Sequence, residues 1–527
     1  MFDIVINGAY IVDGTNTEPF LGSIGIVGDK IEKISKDNLE GKRVIDGKDR
    51  ILAPGFIDMH SHSDSSFIVE NNCESKLFQG ITSEFIGSCG ISLIPNNDSI
   101  KNQLKDYCKS LCVTSDKISL DFSNLKEYAK IINEKGAAIN CIPQIGHGTI
   151  RMCVMGYDNK IASKKELEDM KKLLRMEMEN GAFGMSLGLI YPPGIFSNTE
   201  ELCELATVLK EYDGVLTAHI RGESYNVFNA VEEIISIARE TGVKINISHL
   251  KLIGRSQWKR GKELLNIINK ARDSGVNISC DQYPYSASCT SLYPLIPKYA
   301  QAGGVNGFIQ LIDTKWKEIS DYIEKEVYNR GGSGKIILSS AGEYFSKYEG
   351  KSLKSIANVL NIRVSEVVRD IFIKTKGSAS VIYYCMNEDD IECIMKDMFV
   401  AIGSDGAALS FKKELYSGKP HPRGFGTFPK FIRRALDKEL MPIQSIIYKT
   451  SALPARILGI KDRGIIKEGN IADLVLFNKD EIQYKGSYMD PFSKPEGIDY
   501  VFVSGKVVLE NGVQTGAKLG KVLLKGK

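Results

Sequence analysis

A chain of 527 residues exceeds one ordinary domain and suits a large domain with a smaller companion. Apolar residues at 43% and charged residues at 25% allow a sizeable core under a soluble surface, and a net charge of +3 is too balanced to point to nucleic acid or an anionic membrane. No apolar run approaches the roughly 18–20 residues that span a bilayer, so neither a nucleic-acid nor a membrane partner is expected.

The opening FDIVINGAYIVDG (2–14) alternates apolar and polar positions and continues through GSIGIVGDKIEKI (22–34), the pattern of short strands. It lacks a basic segment followed by an apolar one, so no signal peptide is expected. The 11 cysteines are scattered without CxxC pairs, which fits free thiols and a cytoplasmic location. Cys108 and Cys112 read as two thiols on one helix face. The end of the chain repeats the strand pattern in GNIADLVLFNKD (469–480) and IDYVFVSGKVVLENGV (498–513). The two ends, 1–54 and 461–527, are therefore expected to build one small β-sandwich.

Between them, short apolar runs alternate with amphipathic stretches such as LKEYAKIINEKG. The runs are 55–60, 80–87, 137–146, 181–187, 214–220, 244–250, 277–283 and 398–404. Ser163 with Glu166, and Asn198 with Glu201, have the spacing of capping boxes that open helices. Eight strand–helix units favour an α/β fold with a closed (β/α)₈ TIM barrel over 55–460. The connection from Asp281 to Phe399 is the longest. It predicts an insertion between strands seven and eight, at about 290–350, lying over the barrel mouth as a lid.

Of six histidines, five stand at or just past the end of an expected barrel strand, the face where barrel enzymes place their chemistry. His60 and His62 are two apart on the first strand, so both rings can face one centre. His219 and His249 end adjacent strands five and six, and neutral imidazoles suit Zn²⁺. Asp405 ends strand eight and is placed to act as a general base beside a metal; the ordinary alternative is a turn residue before Gly406. His147, just past strand three, is placed to polarise a carbonyl or to support a ligand. His421 reads equally as a loop residue. On residue chemistry alone Cys89 is a small buried thiol.

The motifs APGFIDMHSHSD, GITSEFIGSCGIS, IGHGTIR, GAFGMSLGLIYPPG, AHIRGE, ISHLK, DQYPYSA, GSDG and HPRGFGTF together resemble the amidohydrolase superfamily, and within it the N-acyl-D-amino-acid deacylases, or D-aminoacylases. The resemblance covers nearly the whole chain and is weakest over about 293–397. Strand four lacks the lysine that bridges two metals in most amidohydrolases. The resemblance instead implies Cys89, His219 and His249 around a tightly held zinc, with His60 and His62 forming a second, weaker site that shares Cys89. It implies Asp405 as the acid/base, and Tyr191, Lys251, Ser288 and Arg423 near the substrate carboxylate or carbonyl. Cys289 departs from the small polar residue the family favours. The implied reaction is metal-assisted hydrolysis of small-molecule N-acyl-D-amino acids. A cyclic amidohydrolase of the dihydroorotase or hydantoinase kind, and a non-catalytic barrel used for assembly, are the readings weighed against it.

Overall fold

All eight apolar runs of the middle region form strands in the computed structural model, which describes residues 1–110, 119–412 and 418–526, with the side chains of 106–110 left out. Cys112 and the Cys108 side chain therefore lie outside the described residues. The barrel strands are Phe56–Asp58, Ile81–Ile86, Asn140–Pro143 with Ile145–Gly146, Gly184–Gly188, Val215–His219, Lys244–Ile247, Ile278–Gln282 and Val400–Ile402. Nearly every residue in them is buried, as a parallel sheet covered on both faces demands. All their ladders are parallel.

Two features close the ring. The third run divides at Gln144, between Asn140–Pro143 and Ile145–Gly146. Its first half pairs with strand two and its second half with strand four. Strand one meets strand eight through Met59 N–H donating to Ile402 O (3.2 Å) and Asp405 N–H donating to His60 O (2.8 Å). This last bond sets the catalytic candidate of strand eight against the HxH of strand one.

Ser163 and Glu166 form the expected capping box. Asn198 forms only half of one. Its side chain accepts from Glu201 N–H, but the Glu201 carboxylate turns inward to His147 and Arg151.

The termini meet in a nine-stranded sheet. Its seam is Ile51–Pro54, parallel to Phe2–Ile11 on one side and antiparallel to Leu474–Phe477 on the other. The strands form one hydrogen-bonded sheet that curls on itself and encloses a core of its own. Ile31 N–H donates to Asn470 O, and Ile24, Ile31, Leu474 and Phe502 share one apolar cluster. Past Gln514 the chain leaves this sheet and returns to the barrel, where Cys141 N–H donates to Lys521 O and Lys525 N–H to Gly181 O.

The insertion is longer than the sequence suggested. Ser288–Ser291, Ile336–Ser340 and Ser380–Tyr383 make a separate antiparallel sheet with Ser380–Tyr383 in the middle, so the module cannot close before residue 383. Helices Gly304–Asn329, Leu353–Leu360 and Val364–Lys374 complete it.

Candidate metal centre and active site

Strand ends deliver the candidate ligands to one point. His60 and His62 follow Phe56–Asp58, Cys89 follows Ile81–Ile86, His219 is the last residue of Val215–His219, and His249 lies just past Lys244–Ile247. The Cys89 Sγ sits 3.3 Å from His60 Nε2, 3.5 Å from His219 Nδ1 and 3.4 Å from His249 Nε2. All four residues are buried. Asp405 completes the group, with Oδ1 at 3.0 Å from His62 Nε2 and 3.5 Å from His60 Nε2.

Cys89, His249 and Asp405 adopt left-handed backbone conformations, with φ of +54°, +36° and +53°. Such conformations are strained for residues other than glycine and persist where surrounding structure enforces them, commonly at functional sites. Asp281 enforces one of them: its Oδ1 accepts from His249 N–H at 2.8 Å and lies 3.4 Å from His60 Nδ1.

The electrostatics favour a thiolate and a carboxylate. Burial works against the Cys89 anion, but the charges of His60 and His249 and the hydrogen bonds from His219 and His249 hold its pKa well below the usual thiol range. Burial likewise opposes Asp405 ionisation, and Arg423, His249, His62 and His60 hold its carboxyl well below the usual range. Burial pushes His219 down, towards the neutral form that can ligate a metal.

This donor set fits zinc. Hydrogen bonds alone would need all three imidazole nitrogens to carry a proton towards the one sulfur, including the rings needed as neutral ligands. A cation satisfies all of them. Tetrahedral zinc with bonds of roughly 2.0–2.3 Å sets its donors about 3.3–3.8 Å apart, and the measured spacings of 3.3–3.5 Å match. The ligand atoms fall into two overlapping groups that share Cys89: one with His219 and His249, the other with His60, His62 and Asp405.

The site opens into a cavity of about 1200 Å³ between the barrel mouth and the insertion. Tyr191, Lys251, Ser288 and Arg423 all line it. Tyr191 donates or accepts at Thr290 Oγ1 (2.8 Å), and its ring stands edge-on to His219. Ser288 begins the first strand of the insertion sheet. Arg423 spans from Asp405 to the Cys289 carbonyl, which its Nη2 reaches at 3.2 Å. Lys251 faces the cavity, but its ammonium is already neutralised by Glu223.

His147 is the exception among the expected substrate contacts. It is fully buried, its Nε2 lies 2.7 Å from Glu201 Oε1, and it is not in the cavity wall. Glu201, 54 residues further along the chain, claims the ring, so the strand-end position does not deliver it to substrate. His421 does line the cavity. Its Nδ1 accepts from Arg423 N–H and its Nε2 meets Ala287 O.

Sequence reasoning gave no role to Glu223, Asp281 or Tyr283. All three lie in motifs already singled out, AHIRGE and DQYPYSA, where an acidic or phenolic side chain among the matched residues was the available signal. The Tyr283 hydroxyl lines the cavity and is buried without a hydrogen-bond partner, while the Arg423 guanidinium lies 5.0 Å from its ring centre.

Known proteins resemble this chain over nearly its whole length. Residues 380–508 match the Amidohydrolase family. The chain is 29% identical to a D-aminoacylase of Alcaligenes xylosoxydans xylosoxydans, over 99% of this chain and 97% of that one. It is 30% identical to an N-acyl-D-glutamate deacylase of the same organism, over 96% and 93%. The crystal structure of N-acyl-D-glutamate deacylase from Bordetella bronchiseptica, complexed with zinc and a phosphonate inhibitor, superposes with a TM-score of 0.84 at 27% identity, covering 99% of each chain.

Proposed function

From the premise that the chain belongs to the N-acyl-D-amino-acid deacylase family of amidohydrolases, we propose a division of labour among its site residues. The chain is a zinc-dependent hydrolase that cleaves the linear amide of N-acyl-D-amino acids to a carboxylic acid and a free D-amino acid. The observation that carries the assignment is the Cys89 sulfur ringed by His60, His219 and His249, with Asp405 against His62.

Cys89, His219 and His249 would hold the tight zinc. His60 and His62 would share Cys89 in a second, weaker site, with Asp405 beside it. Zinc supplies a Lewis acid and an acidified water when bound. Asp405, ionised at neutral pH, is the group able to accept the proton of the attacking water and return it to the departing nitrogen. Arg423 keeps that carboxylate charged and oriented. The Tyr191 ring stands edge-on to His219, and its hydroxyl can donate to the oxygen on which negative charge develops. Ser288, Lys251 and Arg423 line the wall where the substrate carboxylate is held. Glu223 pairs with Lys251 and Asp405 with one nitrogen of Arg423, so the second Arg423 nitrogen and the hydroxyls share that recognition.

A cyclic-amide substrate fits less well. Strand Gly184–Gly188 has no lysine to bridge two metals, and the near full-length relatives named above are named for linear amides. A non-catalytic role would not need five converging ligands and a charged carboxylate. No helix of the described residues is long and apolar enough to cross a membrane. We place the enzyme in the cytoplasm, on its scattered free thiols.

The test is release of free amine from paired N-acetyl-D- and N-acetyl-L-amino acids, with zinc quantified on the same sample. Turnover of D substrates alone with about one zinc or more per chain is expected. Bound zinc with no turnover of either enantiomer overturns the substrate class and leaves the metal site standing.

A further inference from the structure

The side chain of Glu223 is 9% exposed and reaches back over the metal site from the loop after strand five. Its carbonyl accepts from Ile253 N–H (2.7 Å), which ties that loop to the one after strand six. One carboxylate oxygen, Oε1, lies 3.1 Å from His249 Nδ1 and 2.5 Å from Lys251 Nζ. Oε2 faces His219 Nε2 at 3.7 Å, a charge contact rather than a hydrogen bond.

His249 Nδ1 therefore has two neighbours that ask for opposite tautomers. Lys251 Nζ is 2.7 Å away. An ammonium only donates, so this contact requires the Nδ1 lone pair and puts the ring proton on Nε2. Nε2 is the atom that faces Cys89 at 3.4 Å, and a protonated Nε2 cannot ligate a metal. A carboxylate only accepts, so the contact with Glu223 requires Nδ1–H and leaves the Nε2 lone pair free. Lys251 has other acceptors, namely Glu223 Oε1 itself and His249 O at 3.1 Å. With Glu223 present, all three groups are satisfied at once in the tautomer that offers Nε2 to a metal.

We propose that Glu223 is a positioning residue of the zinc site: its carboxylate sets the tautomer of His249 and draws the Lys251 ammonium away from the His249 Nδ1 lone pair. The inference rests on the reading of Cys89, His219 and His249 as the tight zinc site. Carboxylates behind metal-ligating histidines commonly change metal affinity by 10–100-fold when removed. This one has a second duty, because without it an ammonium is already in place to enforce the wrong tautomer.

The experiment measures zinc affinity by chelator competition, without using activity, in wild type, Glu223→Met, Lys251→Met and the double variant, with the thermal midpoint of each metal-free protein as a fold control. Glu223→Met is expected to weaken zinc binding about 10–100-fold. Adding Lys251→Met to it is expected to recover a substantial part of that loss, which a merely structural role for Glu223 would not produce. Zinc affinity equal to wild type in folded Glu223→Met, or a loss that Lys251→Met leaves untouched, overturns the inference. If Glu223→Met does not fold, Glu223→Gln, which keeps an acceptor oxygen but no charge, carries the same comparison with a smaller expected loss. A wild-type chain that takes up no zinc overturns the zinc-site reading and this inference with it, whereas zinc-loaded wild type with an unaffected variant overturns this inference alone.

Discussion

Arg423 Nη1 lies 2.6 Å from Asp405 Oδ2, and each side chain is only 8% exposed. The pair is made across the barrel mouth, between the end of strand eight and the start of helix Arg423–Asp437. The other carboxylate oxygen of Asp405 is turned to His62. Asp405 is thus held between a permanent cation and a metal-ligand candidate, which fixes its orientation and its charge together.

Asp405→Asn keeps the shape and removes the proton acceptor. Turnover is expected to fall about 10²–10⁴-fold, the range for loss of a general acid–base group. The zinc held by Cys89, His219 and His249 should stay, because none of those residues is altered. Steady-state rates with metal quantification on the same samples check both halves. A near-wild-type rate would remove Asp405 from the mechanism.

Arg423→Met tests the electrostatic half. Burial favours the protonated Asp405, and Arg423 is the foremost of the groups that hold it ionised. Removing the cation raises the carboxyl pKa. Activity needs the ionised form, so the acidic limb of kcat/KM against pH should move to higher pH, and KM should rise with loss of a carboxylate contact. An acidic limb that stays in place would show that Arg423 does not set the charge of Asp405.

Lys76 is fully buried beneath the HxH strand, with its Nζ 2.7 Å from Asp58 Oδ2, Glu84 Oε1 and Ser404 Oγ. It joins strands one, two and eight, and Asp58 and Ser404 stand beside His60 and Asp405 in the chain. Lys76→Met leaves two carboxylates buried without their cation. Breaking a buried ion pair in this way destabilises by about 3–5 kcal/mol. Chemical denaturation should show a loss of this order, and a loss below about 1 kcal/mol, the scale of an exposed pair, would mean that water reaches the cluster.

How much of this was legible beforehand follows from the range of the interactions involved. His60 and His62 could be read because a two-residue spacing on a strand is a local fact. Strands bounded by glycine and an apolar run were equally local, and all eight appeared. Cys89 could not be read from its chemistry, since its partners His219 and His249 lie 130 and 160 residues away, and only resemblance singled it out. His147 shows the converse: its strand-end position was visible, but the distant carboxylate that holds its ring, Glu201, was not. The insertion was cut short because its central strand, Ser380–Tyr383, takes both partners from segments far earlier in the chain.

Lys449 offers a test of burial away from the active site. It is fully buried, and its Nζ donates to the Asp397 carbonyl. Burial pushes its pKa from the ordinary 10.5 down to about 7. Between those values the unfolded chain holds the proton and the folded chain does not, so this lysine makes stability rise with pH across that window and lowers it most at and below pH 7. Lys449→Met removes the group that must lose its proton. The variant is expected to be more stable than wild type by about 2–4 kcal/mol at pH 7, as a shift of this size implies after discounting for the lost hydrogen bond. The difference should shrink steadily towards pH 10. Urea denaturation of both proteins at pH 7 and pH 9 measures it, and a difference that does not change with pH would mean that Lys449 remains charged in the folded protein.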